Sequence, residues 1–330
     1  MTPKPLGFNI LIVGQSGRLA AEAVLFAASL RHSDPGSNNR LFVADVQRGD
    51  LWKGSPSLDD ASKQALTRLG AKIVPLKPKV FGKSYPYGNK IEALRLLPEG
   101  EPFVFFDTDT LVTGPLSTVP FDFDVPSASE RVTGTWPKPT LYGPGMEDIW
   151  GSLYRRFDLD FDASKDPSQP VGHWRHYLYF NAGWFYYKCP KVFGDLFLEY
   201  ARAIGNDPPK ELIGQVMSPW LDQVALPLVI HRLGGGRGIV PSGLLDGTIT
   251  CHYRALPLLY AREDARTIEM LEEIAAPNWI KKVLKQHEPF KKMIFQKKGA
   301  AVRALFEGAR LPKTEDVLRR KIRKAGLWMR

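Results

Sequence analysis

Asp107 and Asp109 stand two residues apart at the end of the apolar run Phe103-Val104-Phe105-Phe106. If that run is a strand, its side chains alternate faces, and both acids can point to one side about 7 Å apart. Two carboxylates so spaced can share one hard divalent cation, directly or through water. At the end of a buried strand such a pair costs on the order of several kcal/mol unless something neutralises it. A metal carrying a phosphate-containing ligand would do so. Three more segments combine polar chemistry with apolar context. Asn181 and Gly183 interrupt an aromatic strand, Phe180-Asn181-Ala182-Gly183-Trp184-Phe185. Asp222 and Gln223 follow Trp220-Leu221 at the opening of an apolar helix, and His252 ends the short run Ile249-Thr250-Cys251.

The elements that must hold these residues alternate regularly in the first half. Residues 8–13, 40–46, 70–76 and 102–106 predict strands, and residues 19–30, 57–69 and 87–97 predict helices, the second capped by Ser57. This series implies an α/β fold with an open, mostly parallel, Rossmann-like sheet and helices on both faces. Ligands then bind beyond the carboxyl ends of the strands, where the acid pair lies. Residues 120–175, rich in Pro, Asp, Trp and Tyr, read as long loops serving substrate recognition. Strands are expected at 177–180 and 183–187, and helices at 191–204 and near 220–229. The expected division is a catalytic unit over 1–276, with halves 1–118 and 119–276, and a basic helical region over 277–330.

The four segments, in this order and rough spacing, resemble the metal-dependent nucleotide-sugar glycosyltransferases of the GT-A fold. The likeness covers roughly residues 8 to 255 and is nearest the family of glycogenin and the bacterial lipopolysaccharide glucosyl- and galactosyltransferases. It implies that Asp107, Asp109 and His252 ligate Mn²⁺ or Mg²⁺, with Asp107 also reaching the ribose or sugar. It implies that Asn181 and Gln223 bond sugar hydroxyls, that Asp222 orients the donor, and that Lys90 lies near the sugar and the acid pair. Gly14, Gln15 and Ser16, in the turn after the first strand, fall where this fold receives the nucleoside. A carboxylate-plus-imidazole set tolerates Mn²⁺ better than an all-oxygen set. The family's Lys-Pro-Trp after the His is replaced by Arg254-Ala255-Leu256, so Arg254 and Arg262 are the available phosphate-binding cations. The implied reaction moves a sugar from a nucleotide diphosphate-sugar, UDP-sugar favoured, to a hydroxyl of a glycan or glycolipid, with retention. Trp150, Trp174 and Tyr177 are candidates to stack on an acceptor sugar.

Two other readings compete. Asp107-Thr108-Asp109 could be the nucleophile and acid of a haloacid-dehalogenase-like phosphatase, but that motif wants Thr where Leu111 stands and belongs on a first strand. A non-catalytic nucleotide-sugar-binding module is the second. His173 and His176 have helical spacing for zinc but no Cys or further His nearby, and Gly234-Gly235-Gly236-Arg237-Gly238 lacks the strand–helix context of a phosphate loop.

Composition narrows the setting. A hydrophobic share of 44% and a charged share of 24% suit a soluble globular chain of 330 residues. The two cysteines, Cys189 and Cys251, make no disulfide framework and fit a reducing compartment. With no signal-like start and no membrane-length apolar run, a cytoplasmic location is expected. The net charge of +10 is concentrated after Ala276: 16 Lys and Arg stand against 4 acids there, and 29 against 31 elsewhere. Cations interleaved with Phe290, Met293, Ile294, Phe295, Val302, Leu305 and Phe306 suit an amphipathic segment at an anionic membrane surface, such as the inner face of the membrane. Nucleic acid is not expected, because no recognition fold accompanies the charge.

Overall fold

The computed structural model describes residues 7–130, 135–308, 310–312 and 314–330. The chain builds β1 (Asn9–Gly14), α1 (Arg18–Ser33), β2 (Arg40–Val46), α2 (Asp60–Arg68), β3 (Lys72–Leu76), α3 (Asn89–Ala93) and β4 (Phe103–Phe106). Then come β5 (Thr110–Val112), β6 (Ser127–Glu130), α4 (Met146–Arg156), β7 (Phe180–Tyr187), α5 (Pro190–Asn206) and α6 (Leu221–Arg232). The last third contributes β8 (Thr250–His252), α7 (Leu256–Arg262), α8 (Ala265–Ala275) and α9 (Asn278–Leu284).

The main sheet runs β3-β2-β1-β4-β7-β6. Its first four strands are parallel, while β7 runs antiparallel to both β4 and β6. This is the expected mostly parallel α/β class. Period-two alternation splits the apolar residues of β1 between two cores. Ile10 and Ile12 pack with Val24, Phe26 and the last third of the chain, whereas Leu11 packs with Phe105, Phe193 and Val224. The first core takes in an Ala-rich helix, α1, whose residues from Ala20 to Leu30 are all buried. Small side chains let α1 lie between the sheet and a further helical layer, α8 and α9.

Several boundaries differ from the sequence reading. The second helix starts at Asp60, capped by Asp59, whose carboxylate accepts from the Ser62 amide at 3.0 Å; Ser57 instead donates to Asp45. The segment 87–97 is not one helix but a short α3 between 3₁₀ turns, because buried Glu92 turns back to accept the amides of Lys79, Val80 and Phe81. The two strands expected around Asn181 are one strand, β7, kinked by a positive φ of 56° at Ala182. Residues 120–175 hold more structure than loops. They include β6 and the eleven-residue α4, whose acids Glu147 and Asp148 and bases Arg155 and Arg156 suit the helix dipole.

The basic region packs as part of the body. Ile280, Val283, Phe290, Met293, Val302, Phe306 and Leu318 are buried in the same core as β1 and α1. Of the seven apolar residues expected to face a membrane, Leu305 alone is classed as exposed; the others serve internal packing. No helix among the described residues is long and apolar enough to cross a membrane.

Candidate active site

The acids sit just past β4, in a bend before β5. It is this bend, with the pairing of β5 and β8, that assembles the site. Thr110 lies opposite His252 in the antiparallel ladder, so His252 arrives beside Asp109, its Nε2 at 3.1 Å from Asp109 Oδ1. One ligand atom from each of Asp107, Asp109 and His252 can be chosen so that all lie within 4.8 Å of one another. Two hard oxygens and an imidazole nitrogen around one point fit a divalent cation of the Mn²⁺ or Mg²⁺ kind. Asp107 is held on its other side by Lys90, whereas His252 Nδ1 is buried with no hydrogen-bond partner among the described residues. Lys90 Nζ lies 2.9 Å from Asp107 Oδ1, 3.2 Å from Asp222 Oδ2 and 3.1 Å from the Ala182 carbonyl. Tyr85 donates to Asp222 Oδ1 at 2.7 Å and accepts the Asp222 amide at 2.9 Å. Asp222 is thereby fixed although almost wholly buried.

The electrostatics follow from burial opposed by partners. Burial pushes the Asp107 carboxyl up, and Lys90 only partly offsets it. Burial also raises Asp109, but His252 and Arg18 outweigh it, so Asp109 lies below the usual carboxylate range. His252 is the mirror case: burial lowers it, and Asp109 holds it above the ordinary imidazole value. Behind the pair, burial and Asp109 push Glu22 on α1 up to about 8 despite its contact with Arg18 at 2.5 Å. Thr108, between the two acids, donates to Glu22 at 3.1 Å and so ties the bend to α1.

Gly183 is needed for this geometry. A Cβ there would stand 2.5 Å from His252 Nδ1 and 2.8 Å from Asn181 Oδ1, which accepts the Gly183 amide. Gly183→Ala is therefore expected to displace the imidazole and weaken Mn²⁺ binding about tenfold or more, with the fold retained. Calorimetric titration checks this; undiminished affinity would show that His252 does not need its present place.

Two cavities meet at the acids. One of about 390 Å³ is lined by Gln15, Arg18, Tyr87, Lys90 and the bend 107–109. Another of about 710 Å³ shares Lys90, Asp107 and Asp109 and extends past Asn181, Trp220, Asp222, Gln223, His252 and Arg254. Nine of the eleven site candidates thus line one or both cavities, and the other two, Gly14 and Ser16, lie in the turn beside Gln15. Within the turn after β1 the structure separates three neighbours. Gln15 faces the cavity, Gly14 packs against Val43 and Leu58, and Ser16 donates to the Ser55 carbonyl. Gln223 accepts from Tyr179 at 3.1 Å. Arg254 and Arg262 both bind Glu315, at 2.9 Å each.

Other expectations find ordinary structural explanations. Trp150 is fully buried and Tyr177 is 2% exposed, so neither offers a face to a sugar. Tyr177 instead donates to Glu147. His176 Nδ1 lies 2.9 Å from the carbonyls of Asp166 and Gln169, a packing role. Gly235 abuts the Pro126 carbonyl, where no Cβ fits, so its loop is a packing turn.

Residues 10–234 match a family model described as the Rhodobacterales glycosyltransferase domain. The chain belongs to this glycosyltransferase family. No curated protein matches it. Among solved structures, the galactosyltransferase LgtC, crystallised with donor and acceptor sugar analogs, is 14% identical, with 84% of this chain and 100% of that one covered and a TM-score of 0.48. The bifunctional glycosyltransferase WbbM is 13% identical (86% and 52% covered, TM-score 0.45). The glycosyltransferase GlyE of Streptococcus pneumoniae TIGR4 is 11% identical (85% and 62% covered, TM-score 0.42). The family match sets the phosphatase reading aside. In this glycosyltransferase, sequence reasoning missed Tyr85, Glu22, Arg18 and Arg330. Nothing local marks Tyr85, whereas Arg18 and Glu22, spaced i, i+4 at the start of an apolar helix, were a visible sign of a charged end.

Proposed function

We propose that this glycosyltransferase moves a hexose from a nucleotide diphosphate-sugar, a UDP-sugar by preference, to a hydroxyl of a glycan or glycolipid, with retained configuration. The convergence of Asp107, Asp109 and His252 where two cavities meet carries this reading. These three residues would hold Mn²⁺ or Mg²⁺, which supplies Lewis-acid stabilisation of charge on the departing diphosphate. The smaller cavity, with Gln15, suits the nucleoside, and the larger suits the sugar and acceptor. Lys90 bridges Asp107 and Asp222, at 2.9 and 3.2 Å, and keeps both aimed. Both Asp222 oxygens are engaged, by Tyr85 and by Lys90, which favours an orienting role over a covalent one. Asn181 and Gln223 offer amide groups to sugar hydroxyls, and Trp220 offers a ring. A cytoplasmic enzyme peripheral to the membrane fits two free cysteines and a basic surface. Attachment would be by charge, since the apolar side chains are used internally.

Thermal shift with nucleotide diphosphates, with and without Mn²⁺, tests the donor. A ligand at a hundred times its dissociation constant should stabilise the fold by about 2.7 kcal/mol. No shift with any nucleotide diphosphate and Mn²⁺, together with no hydrolysis of any nucleotide-sugar, would sink the proposal.

A further inference from the structure

Two joined turns carry apolar side chains at their tips. The first closes with the Gly143 amide donating to the Thr140 carbonyl at 3.2 Å, which puts Leu141 and Tyr142 at its corners, 87% and 96% exposed. In the second, the Gln215 amide donates to the Leu212 carbonyl at 2.9 Å, and Ile213 and Gly214 take the corners. Ile213 at φ −56°, ψ 127° and Gly214 at φ 84° make a type II turn. Ile213 is 79% exposed there, and nearby Val216 is 67% exposed. The Gln215 side chain ties the turns together, accepting from the Lys138 amide at 2.9 Å and donating to the Lys138 carbonyl at 3.0 Å. Each turn is also rooted in the body, by Trp136 and Leu212, both buried. The same two segments give Lys138, Pro219 and Trp220 to the wall of the larger cavity.

Turn corners ordinarily hold Gly, Pro, Asn, Asp or Ser, and large apolar side chains left in water on one pair of turns mark a contact surface. The charge of the two segments says what it meets. Residues 137–145 and 212–220 hold one charge between them, that of Lys138, and no carboxylate. A protein partner is ordinarily met across a polar rim. An anionic bilayer instead repels acids and accepts aliphatic and Tyr side chains past its headgroups, beside a snorkelling Lys. Most apolar side chains after Ala276 lie within the core, so this contact differs in kind from the attraction of the basic region. Charge would bring the protein to a surface, and the tips would hold it there. We propose that turns 140–143 and 212–215 dip into the interfacial layer of an anionic lipid bilayer, with Leu141, Tyr142, Ile213 and Val216 inserting. Resting on the glycosyltransferase reading above, a bilayer docked here borders the cavity assigned to the acceptor and would present a lipid-linked one to it.

The test floats the full chain with vesicles of phosphatidylcholine and phosphatidylglycerol, at low salt and at about 1 M salt, where charges are screened within about 3 Å. The expected result is binding that weakens with salt but persists at the higher concentration. Two double variants, Leu141→Ser with Tyr142→Ser and Ile213→Ser with Val216→Ser, should each lower the salt-resistant binding about tenfold or more, and together abolish it. Both should keep the parent's melting temperature and its Mn²⁺-dependent hydrolysis of a UDP-sugar, since the altered side chains face water. The pairs sit on separate turns, so misfolding of one variant leaves the other as the test. Complete release of the parent at the higher salt, or variants that bind as the parent does, overturns the inference. So does sedimentation showing the parent self-associated without vesicles and the variants monomeric, which would make the tips an interface between copies. A parent that binds vesicles through these residues but hydrolyses no nucleotide-sugar sinks the donor reading and leaves the docking surface standing.

Discussion

Replacing Asp109 with Ala should reduce metal-dependent hydrolysis of the donor about a thousandfold or more, equivalent to about 4 kcal/mol of transition-state stabilisation. In the proposed site Asp109 would offer one carboxylate to the ion, and it also lies 3.1 Å from His252 and holds the imidazole in line. Its loss therefore removes one ligand and disorients a second. The fold should survive, because His252, held above its ordinary value largely by Asp109, can release its proton and leave no buried charge stranded. The expected signature is a normal melting temperature without Mn²⁺ and no further rise when Mn²⁺ and nucleotide diphosphate are added. Activity within tenfold of the parent would remove Asp109 from the metal site.

Lys90→Met should behave in the opposite way, with stability as the main casualty. The lysine side chain is 8% exposed and bridges Asp107 and Asp222, the latter 2% exposed. Methionine keeps the volume but strands two carboxylates in a site already hostile to charge. Breaking a buried pair from one side costs about 3–5 kcal/mol, and denaturant titration near neutral pH should find a loss of that size. Adding Asp222→Asn should recover part of it, since one stranded charge is then gone and the two positions are in contact. A loss under about 1 kcal/mol would mean that solvent, not Lys90, balances these acids. The contrast between the two variants separates a group held for a ligand from a group held for the fold.

Much of this site was legible in the chain because short motifs mark the ends of elements. Asp107 and Asp109 followed four apolar residues, Asn181 broke an aromatic run, and Asp222 opened a helix. Each such break costs stability and so announces a reason. The parallel sheet was legible through the strand–helix alternation of the first half. What the sequence concealed was chiefly long-range. Tyr85 meets Asp222 across 137 residues, and no local pattern encodes that. The pairing of β5 with β8 links strands of three residues each, too short for a period-two pattern to show, and it is this register that brings His252 to Asp109. The region after Ala276 misled in another way. Its mixture of cations and apolar residues has the same periodicity whether the apolar face meets lipid or protein, and here α1 and its neighbours supply the partner.

The three-residue ladder between β5 and β8 has a temporal consequence. Its two halves, Thr110–Val112 and Thr250–His252, come from distant parts of the chain, and Asp109 and His252 lie 143 residues apart in order. During synthesis, no nascent fragment that stops before His252 can present all three of the proposed metal ligands. A cation arriving afterwards would act as a rivet between early and late segments, slowing the exchange of the Leu111 and Cys251 amides.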